Sequence, residues 1–189
     1  MTIDHQTKQA IRDDMRSRRR AFVSGLEPET RAALEEQLAE LLSPLLASAR
    51  IVGAYCPVGG EISPRPAIAR AQRLGRTIAY PSFGADEATF TFRAGEPDMP
   101  GPHCIPQPPA SAEQVMPDLV LVPLIAVGNG GMRLGQGQGH FDRVLPTLDG
   151  ALFCGIGWQM QRLEQDLPSE EWDVALDLFV SPRGIEDFR

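Results

Sequence analysis

The chain has 189 residues, 42% hydrophobic and 23% charged, with a formal net charge of −7, which fits one ordinary soluble globular core. The acidic balance argues against a general nucleic-acid binder. No apolar run approaches the length of a membrane span, and polar residues stand where a signal peptide has its apolar core, so a cytoplasmic location is expected.

Residues 4–23 read as an amphipathic helix, with Ile11, Met15 and Phe22 on one stripe and Lys8, Arg12, Arg16 and Arg19 on another. Two readings of the basic stripe stay open, a solvated face or cations reaching a phosphate. The acidic Asp4, Asp13 and Asp14 disfavour a transit peptide. Pro28 then sits near a helix start, and leucines at 34, 38, 41, 42, 45 and 46 share one apolar face. Ser43-Pro44 predicts a break or a fresh N-terminus within that segment.

Residues 51–55 read as a buried strand, residues 57–61 as the loop leaving it, residues 66–74 as a helix ended by Gly75, and residues 77–80 as a second strand. Strand, helix and strand predict a βαβ unit, whose ligands bind beyond the carboxyl ends of its strands. Glu61 lies in such a position, although a lone loop glutamate also reads as a solvated surface group. Residues 89–93 alternate like an edge strand, and residues 95–117, with Pro106-Gln107-Pro108-Pro109 at their centre, read as an irregular surface connection.

Residues 118–122 predict a strand feeding a glycine-rich loop. Beyond that loop, residues 140–148 predict one or two helical turns, residues 152–156 a strand, residues 158–163 no definite element, and residues 175–180 a final strand preceded by Asp173. The alternation predicts an α/β fold, a layered, mostly parallel sheet flanked by helices, in a single domain over residues 1–189, with helices across residues 4–47 covering the core. Cys56, Cys104 and Cys154 are odd in number and widely separated, which disfavours a disulfide framework or a structural zinc site, and Cys154 reads as a small core residue. His5, His103 and His140 show no metal-ligand spacing.

The chemistry concentrates in residues 128–143, GNGGMRLGQGQGHFDR, with glycine at 128, 130, 131, 135, 137 and 139 beside Arg133, His140, Asp142 and Arg143. Exposed backbone N–H groups with a fixed guanidinium suit phosphate, and a nearby carboxylate can hold the magnesium that accompanies it. Glycine clusters also mark plain turns. The loop matches neither G-x-x-x-x-G-K-[ST] nor G-x-G-x-x-G, so it names no reaction by itself.

Taken together, these segments resemble the 5-formyltetrahydrofolate cyclo-ligase family across nearly the whole chain. The resemblance is carried by Lys8-Gln9-Ala10-Ile11-Arg12, by Glu61 in Gly-Gly-Glu-Ile-Ser, by residues 118–123 followed by residues 131–143, and by Gly155-Ile156-Gly157 through Leu167-Pro168 to Asp173. It implies an α/β enzyme that converts 5-formyltetrahydrofolate to 5,10-methenyltetrahydrofolate with ATP and magnesium. By the same resemblance, Lys8 and Arg12 contact the ATP phosphates, and Arg133, Leu134, Gly135, Gln136, Gly137, Gln138, Gly139, His140, Phe141 and Asp142 bind ATP. Asp142 ligates magnesium with Asp173 as a second acidic partner, and Glu61, Gln136 and His140 face the reduced folate.

The chain departs from the family pattern at His140-Phe141, where two tyrosines are usual, and at Gln136, where an aromatic is common. Pro123-Leu124-Ile125-Ala126-Val127-Gly128 replaces a Pro-Gly-x-Ala-Phe-Asp run, and Gln107 stands where glutamate is common. These changes touch the folate wall and the loop supports more than the phosphate groups.

The residue inventory suits the implied chemistry. A formamide oxygen is a poor leaving group until phosphorylated, and phosphoryl transfer needs positioning and charge neutralisation more than a nucleophilic side chain. Arg133 is the expected catalytic cation and His140 the expected proton-handling group, with stacking as an alternative role for His140. Three other readings remain: a folate- or nucleotide-binding protein without turnover, ATP-dependent phosphoryl transfer on a related small molecule, and an RNA-interaction module using the cations of residues 16–20. The leading expectation has ATP and a reduced folate as partners, no nucleic acid and no membrane, and assigns no oligomeric state.

Overall fold

The computed structural model describes residues 5–84 and 87–189, so residue 4, at the predicted start of the first helix, lies outside the described residues. Helix α1 spans His5–Ser24 and helix α2 Pro28–Ser48. Pro28 occupies the first turn of α2, where its missing N–H leaves no bond unmade. The break expected at Ser43-Pro44 does not occur, because α2 runs through Pro44. Leu38, Ala39, Leu42 and Leu46 are buried on both sides of the proline, and the Ser43 hydroxyl donates to the Ala39 carbonyl at 2.9 Å. Packing of that apolar face outweighs the loss of one backbone hydrogen bond.

The remaining elements are β1 (Ile51–Gly53), α3 (Arg65–Arg73), β2 (Thr77–Phe83), β3 (Phe90–Ala94), β4 (Leu119–Pro123), β5 (Ala126–Val127), β6 (Arg133–Leu134), α4 (His140–Val144), β7 (Leu152–Ile156), β8 (Leu178–Ser181) and β9 (Gly184–Asp187). Seven strands form one sheet in the order β3-β2-β1-β4-β7-β8-β9. The inner five are parallel, and β3 and β9 are antiparallel edges. The chain is thus the predicted α/β fold, a mostly parallel sheet with flanking helices. Its strand order reverses between β1 and β4, the place where open parallel sheets leave a crevice at their carboxyl ends.

Alternation along each strand sorts the side chains into two cores. Val52, Leu119, Leu121, Cys154, Ile156, Leu178 and Val180 face α2 and α3. Val120, Val122 and Phe179 face the other way, onto Phe90, Phe92, Val144, Leu145 and Leu148. Helix α1 packs differently from α2, because Met15 lies against Ile125, Ala126, Leu134 and Leu167 rather than against a sheet face. Among the described residues no helix is long and apolar enough to cross a membrane.

Two elements carried no sequence signal. The β5–β6 ribbon pairs only Ala126 with Leu134 and Val127 with Arg133, too few residues to show alternation. Strand β9 follows the predicted final strand, and its apolar Ile185 is exposed while Glu186 is half-buried in an ion pair with Arg162, so the strand lacks the apolar alternation of an ordinary half-buried one.

Candidate active site

The crevice beyond β1 and β4 is built from three segments, the loop after β1, the ribbon and glycine loop after β4, and one side of α1. After β1 the chain reverses through Gly59 and Gly60, both at positive φ (54° and 82°). The turn is pinned where Tyr55 Oη donates to the Ile62 carbonyl at 2.6 Å and Trp158 Nε1 to the Gly60 carbonyl at 2.9 Å. Glu61 is thereby held almost wholly inside, 6% exposed, with Oε2 accepting the Val58 N–H at 3.0 Å.

The glycines after β4 divide between two roles. Gly128 and Gly131 serve close packing, because a side chain at 128 would come within 2.6 Å of the Gln165 carbonyl and one at 131 would collide with the Leu176 carbonyl. Gly137 and Gly139 take positive φ (106° and 66°) within the cleft and let the loop turn back into α4. Arg143 ties that turn down, donating from Nη2 to the Gln138 carbonyl at 2.6 Å and from Nε to the Ala88 carbonyl at 3.0 Å.

All four cations of the α1 stripe turn inward. Lys8 Nζ sits 2.8 Å from Asp173 Oδ2 and 3.0 Å from Glu170 Oε2. Arg12 Nε donates to the Gly135 carbonyl at 3.0 Å, and Arg16 Nη2 to the Gln136 carbonyl and to its Oε1, each at 3.0 Å. Arg19, 3% exposed, reaches the Leu124 carbonyl at 3.4 Å and lies 3.8 Å from Glu61 Oε1. The solvated reading of the stripe therefore fails, and the RNA reading loses Arg16 and Arg19 to internal contacts. Arg18 and Arg20 stay exposed on the outer side.

On the floor of the cleft, Arg133 is buried beneath Phe141, its guanidinium carbon 5.8 Å from the ring centroid. Its Nη2 donates to Asp142 Oδ1 at 2.7 Å, and its buried Nε has no protein partner. Lys8, Arg12, Arg133, the loop of residues 134–142 and Asp173 together line one cleft of about 700 Å³, joined by Glu170 and Trp172. Glu61 does not reach it. A second, apolar cavity of about 110 Å³ holds Glu61 with Tyr55, Phe83, Phe90 and Gln107. Ile105, Pro123, His140 and Phe141 line both spaces and form the wall they share. His140 stands edge-on to Phe83 at 4.9 Å, and Phe141 edge-on to Phe90 at 5.1 Å. Gln136 links the two compartments, accepting from Arg16 on one side and donating from Nε2 to Glu61 Oε1 at 3.1 Å on the other.

Burial dominates the electrostatics. It pushes the Glu61 carboxyl above its ordinary range, against the Val58 N–H, the Arg19 charge and Gln136. It lowers the pKa of Arg133, Arg19 and Arg12, which stay protonated at neutral pH. Burial also works against the Lys8 ammonium, but hydrogen bonds and charges from Asp173 and Glu170 outweigh it and hold its pKa above the ordinary value.

Among the described residues no group of three or more His, Cys, Asp or Glu side chains is arranged to hold a metal by itself. The side chains of His5 and His103 lie outside those described. Asp142 and Asp173 both line the cleft but are each engaged by a cation. Such a donor set is too sparse for a closed zinc or calcium cage. It fits magnesium, which takes one or two carboxylates, keeps waters and completes its shell with phosphate oxygens.

Sequence reasoning missed the inward Glu61–Arg19 pair, the Glu170 and Trp172 wall, and the aromatic lining from Tyr55, Phe83 and Phe90. Only Arg19 had a usable signal, its place eleven residues after Lys8 on one helical stripe.

A sequence model of the 5-formyltetrahydrofolate cyclo-ligase family matches residues 4–182. A protein of Mycolicibacterium smegmatis named 5-formyltetrahydrofolate cyclo-ligase is 32% identical over 168 residues, covering 82% of this chain and 85% of its own. The Escherichia coli K12 protein of the same name is 28% identical over 182 residues, covering 90% and 98%. The solved structure of Aquifex aeolicus 5,10-methenyltetrahydrofolate synthetase superposes with a TM-score of 0.80 at 25% identity, over 96% of this chain and 93% of that one.

Proposed function

Because the chain belongs to the 5-formyltetrahydrofolate cyclo-ligase family, we propose that it is a cytoplasmic enzyme converting 5-formyltetrahydrofolate and ATP to 5,10-methenyltetrahydrofolate, ADP and phosphate, with magnesium. One observation carries the reading. A charged, glycine-lined cleft and an apolar cavity share a single wall, so a triphosphate in one can meet the formyl group of a pterin in the other.

In the first step the formyl oxygen attacks the γ-phosphorus and the bond to the ADP oxygen breaks. The folate's N10 then attacks the activated formyl carbon, N10 loses its proton, and phosphate departs with the former formyl oxygen. Arg133 neutralises charge on the transferring group, with Lys8 and Arg12 on the remaining phosphates and the Gly135 to Gly139 backbone cradling them. Asp142, with Asp173, would hold magnesium, which would offset the negative charge of the phosphates. Glu61 meets the polar edge of the pterin, while Phe83 and Phe90 exclude water from it. His140, on the shared wall, accepts the N10 proton.

The reading is supported by the paired compartments and by the unpartnered buried Nε of Arg133, the one of four such arginine Nε atoms among the described residues whose side chain lines the charged cleft. It is tested by following the methenyl product's near-ultraviolet absorbance with purified protein, 5-formyltetrahydrofolate and MgATP. Growth that requires both ATP and magnesium is the expected result. Calorimetric binding of both substrates with no product would make the chain a binding protein instead.

A further inference from the structure

Trp172 is the most exposed large apolar side chain among the described residues, at 65%, whereas Trp158 is 1% exposed. Leaving an indole in water forgoes a large burial gain, so its placement calls for a reason. The indole is not on a loose tip. Asp173 Oδ2 accepts the Glu170 N–H at 2.8 Å, the Asp173 N–H donates to the Glu170 carbonyl at 3.0 Å, and Lys8 clamps both carboxylates. The turn from Glu170 to Asp173 is therefore fixed at its base while Trp172 lines the charged cleft. The indole makes no ring contact or hydrogen bond with the other described residues.

The division of aromatic rings between the cleft and its shared wall assigns it a partner. A reacting γ-phosphate must lie at the wall shared with the apolar cavity, near His140 and Phe141, and Trp172 lines only the charged cleft. Of the aromatic rings lining the charged cleft among the described residues, His140, Phe141 and Trp172, only Trp172 is off that wall, so it is the ring left for the other end of a nucleotide, its base. An aromatic face takes any base, and a purine offers the larger one. We propose that Trp172 is the stacking wall for the purine ring of the nucleotide, making this cleft selective for purine nucleoside triphosphates over pyrimidine ones. The proposal rests on the reading of the cleft as a nucleotide site.

The test compares magnesium complexes of ATP, CTP and inorganic tripolyphosphate by calorimetry on the full chain, in the wild type, Trp172→Phe and Trp172→Ala. In the wild type ATP should bind more tightly than CTP or tripolyphosphate. Trp172→Ala should weaken ATP about 10-fold, shrink the ATP-to-CTP preference and leave tripolyphosphate unchanged, with Trp172→Phe recovering most of the loss. ATP but not tripolyphosphate should also quench wild-type tryptophan fluorescence, and Trp172→Phe should remove that quench. Unchanged ATP affinity in Trp172→Ala overturns the proposal, as does an equal loss for tripolyphosphate, which would mean that the turn and Lys8 had shifted. Concentration-dependent self-association lost in Trp172→Ala at unchanged ATP affinity overturns it in favour of a contact between copies. If neither ATP nor tripolyphosphate binds the wild type, the nucleotide reading of the cleft fails and the proposal falls with it.

Discussion

The two compartments on either side of His140 and Phe141 are held together by different physics. The charged cleft is a set of ion pairs and charge-assisted hydrogen bonds joining α1, the glycine loop and the turn before β8, with Lys8 to Asp173 and Arg133 to Asp142 among its shortest contacts. The apolar cavity is a ring of aromatic edges with one buried carboxylate. Removing one member of a buried charged pair strands its partner, whereas trimming an aromatic edge removes only contacts and area. Damage to the cleft should therefore appear in chemistry, and damage to the cavity in folate affinity.

The largest effect is expected from Asp142→Asn, which weakens a magnesium ligand and deprives Arg133 of its 2.7 Å carboxylate. Turnover should fall about 100-fold or more. Near-normal rates at limiting magnesium would remove Asp142 from the metal site. Arg133→Ala comes next, with a loss on the order of 10- to 100-fold in kcat/KM for ATP, measured by varying ATP at saturating folate. An unchanged value would take Arg133 out of the reaction.

On the other side of the wall, Phe83→Ala removes the edge contacts to Phe90 and His140 at 5.5 and 4.9 Å. The KM for folate should rise roughly 10-fold, about 1.4 kcal/mol, with the KM for ATP unmoved. A matching rise in both constants would break the distinction between the compartments. Gln136→Ala tests the link between them. It removes the bridge from Arg16 to Glu61 and should cost roughly 3- to 5-fold in kcat/KM for folate, the size of about one hydrogen bond.

The smallest effect concerns pH. Because Glu61's folded pKa is raised above its ordinary 4.5, the native state binds more protons than the unfolded chain between those two values. Glu61's contribution to stability is then largest below 4.5 and declines as pH rises through the raised value. Melting temperatures of Glu61→Gln across that window should lack this decline, and an identical slope in both proteins would show that Glu61 is not the group responsible.

Much of the fold was legible because its elements keep their own periodicities. The leucine face of α2, the strand–helix–strand run after it and the apolar β4 and β7 segments each pack where their pattern points. Pro44 misled because a local rule about one missing N–H was overridden by a buried face extending on both sides of it. The loop of residues 133–142 stood out for a different reason, its density of glycine, arginine and aspartate, and in the structure it lines the charged cleft. Of what lies opposite the loop, Lys8, Arg12 and Asp173 came from the family resemblance, whereas Glu170 and Trp172 carried no signal.

The sequence by itself determined the layered α/β class and the family resemblance, and it singled out the glycine loop as the candidate site, because composition and spacing are local properties of the chain. Only the tertiary structure decided that the α1 cations face inward, that Glu61 sits in a separate apolar cavity, and that Gln136 spans the two. Those contacts join residues separated by as many as 165 positions along the chain. Burial, which then sets their charge and partners, arises only when the elements pack.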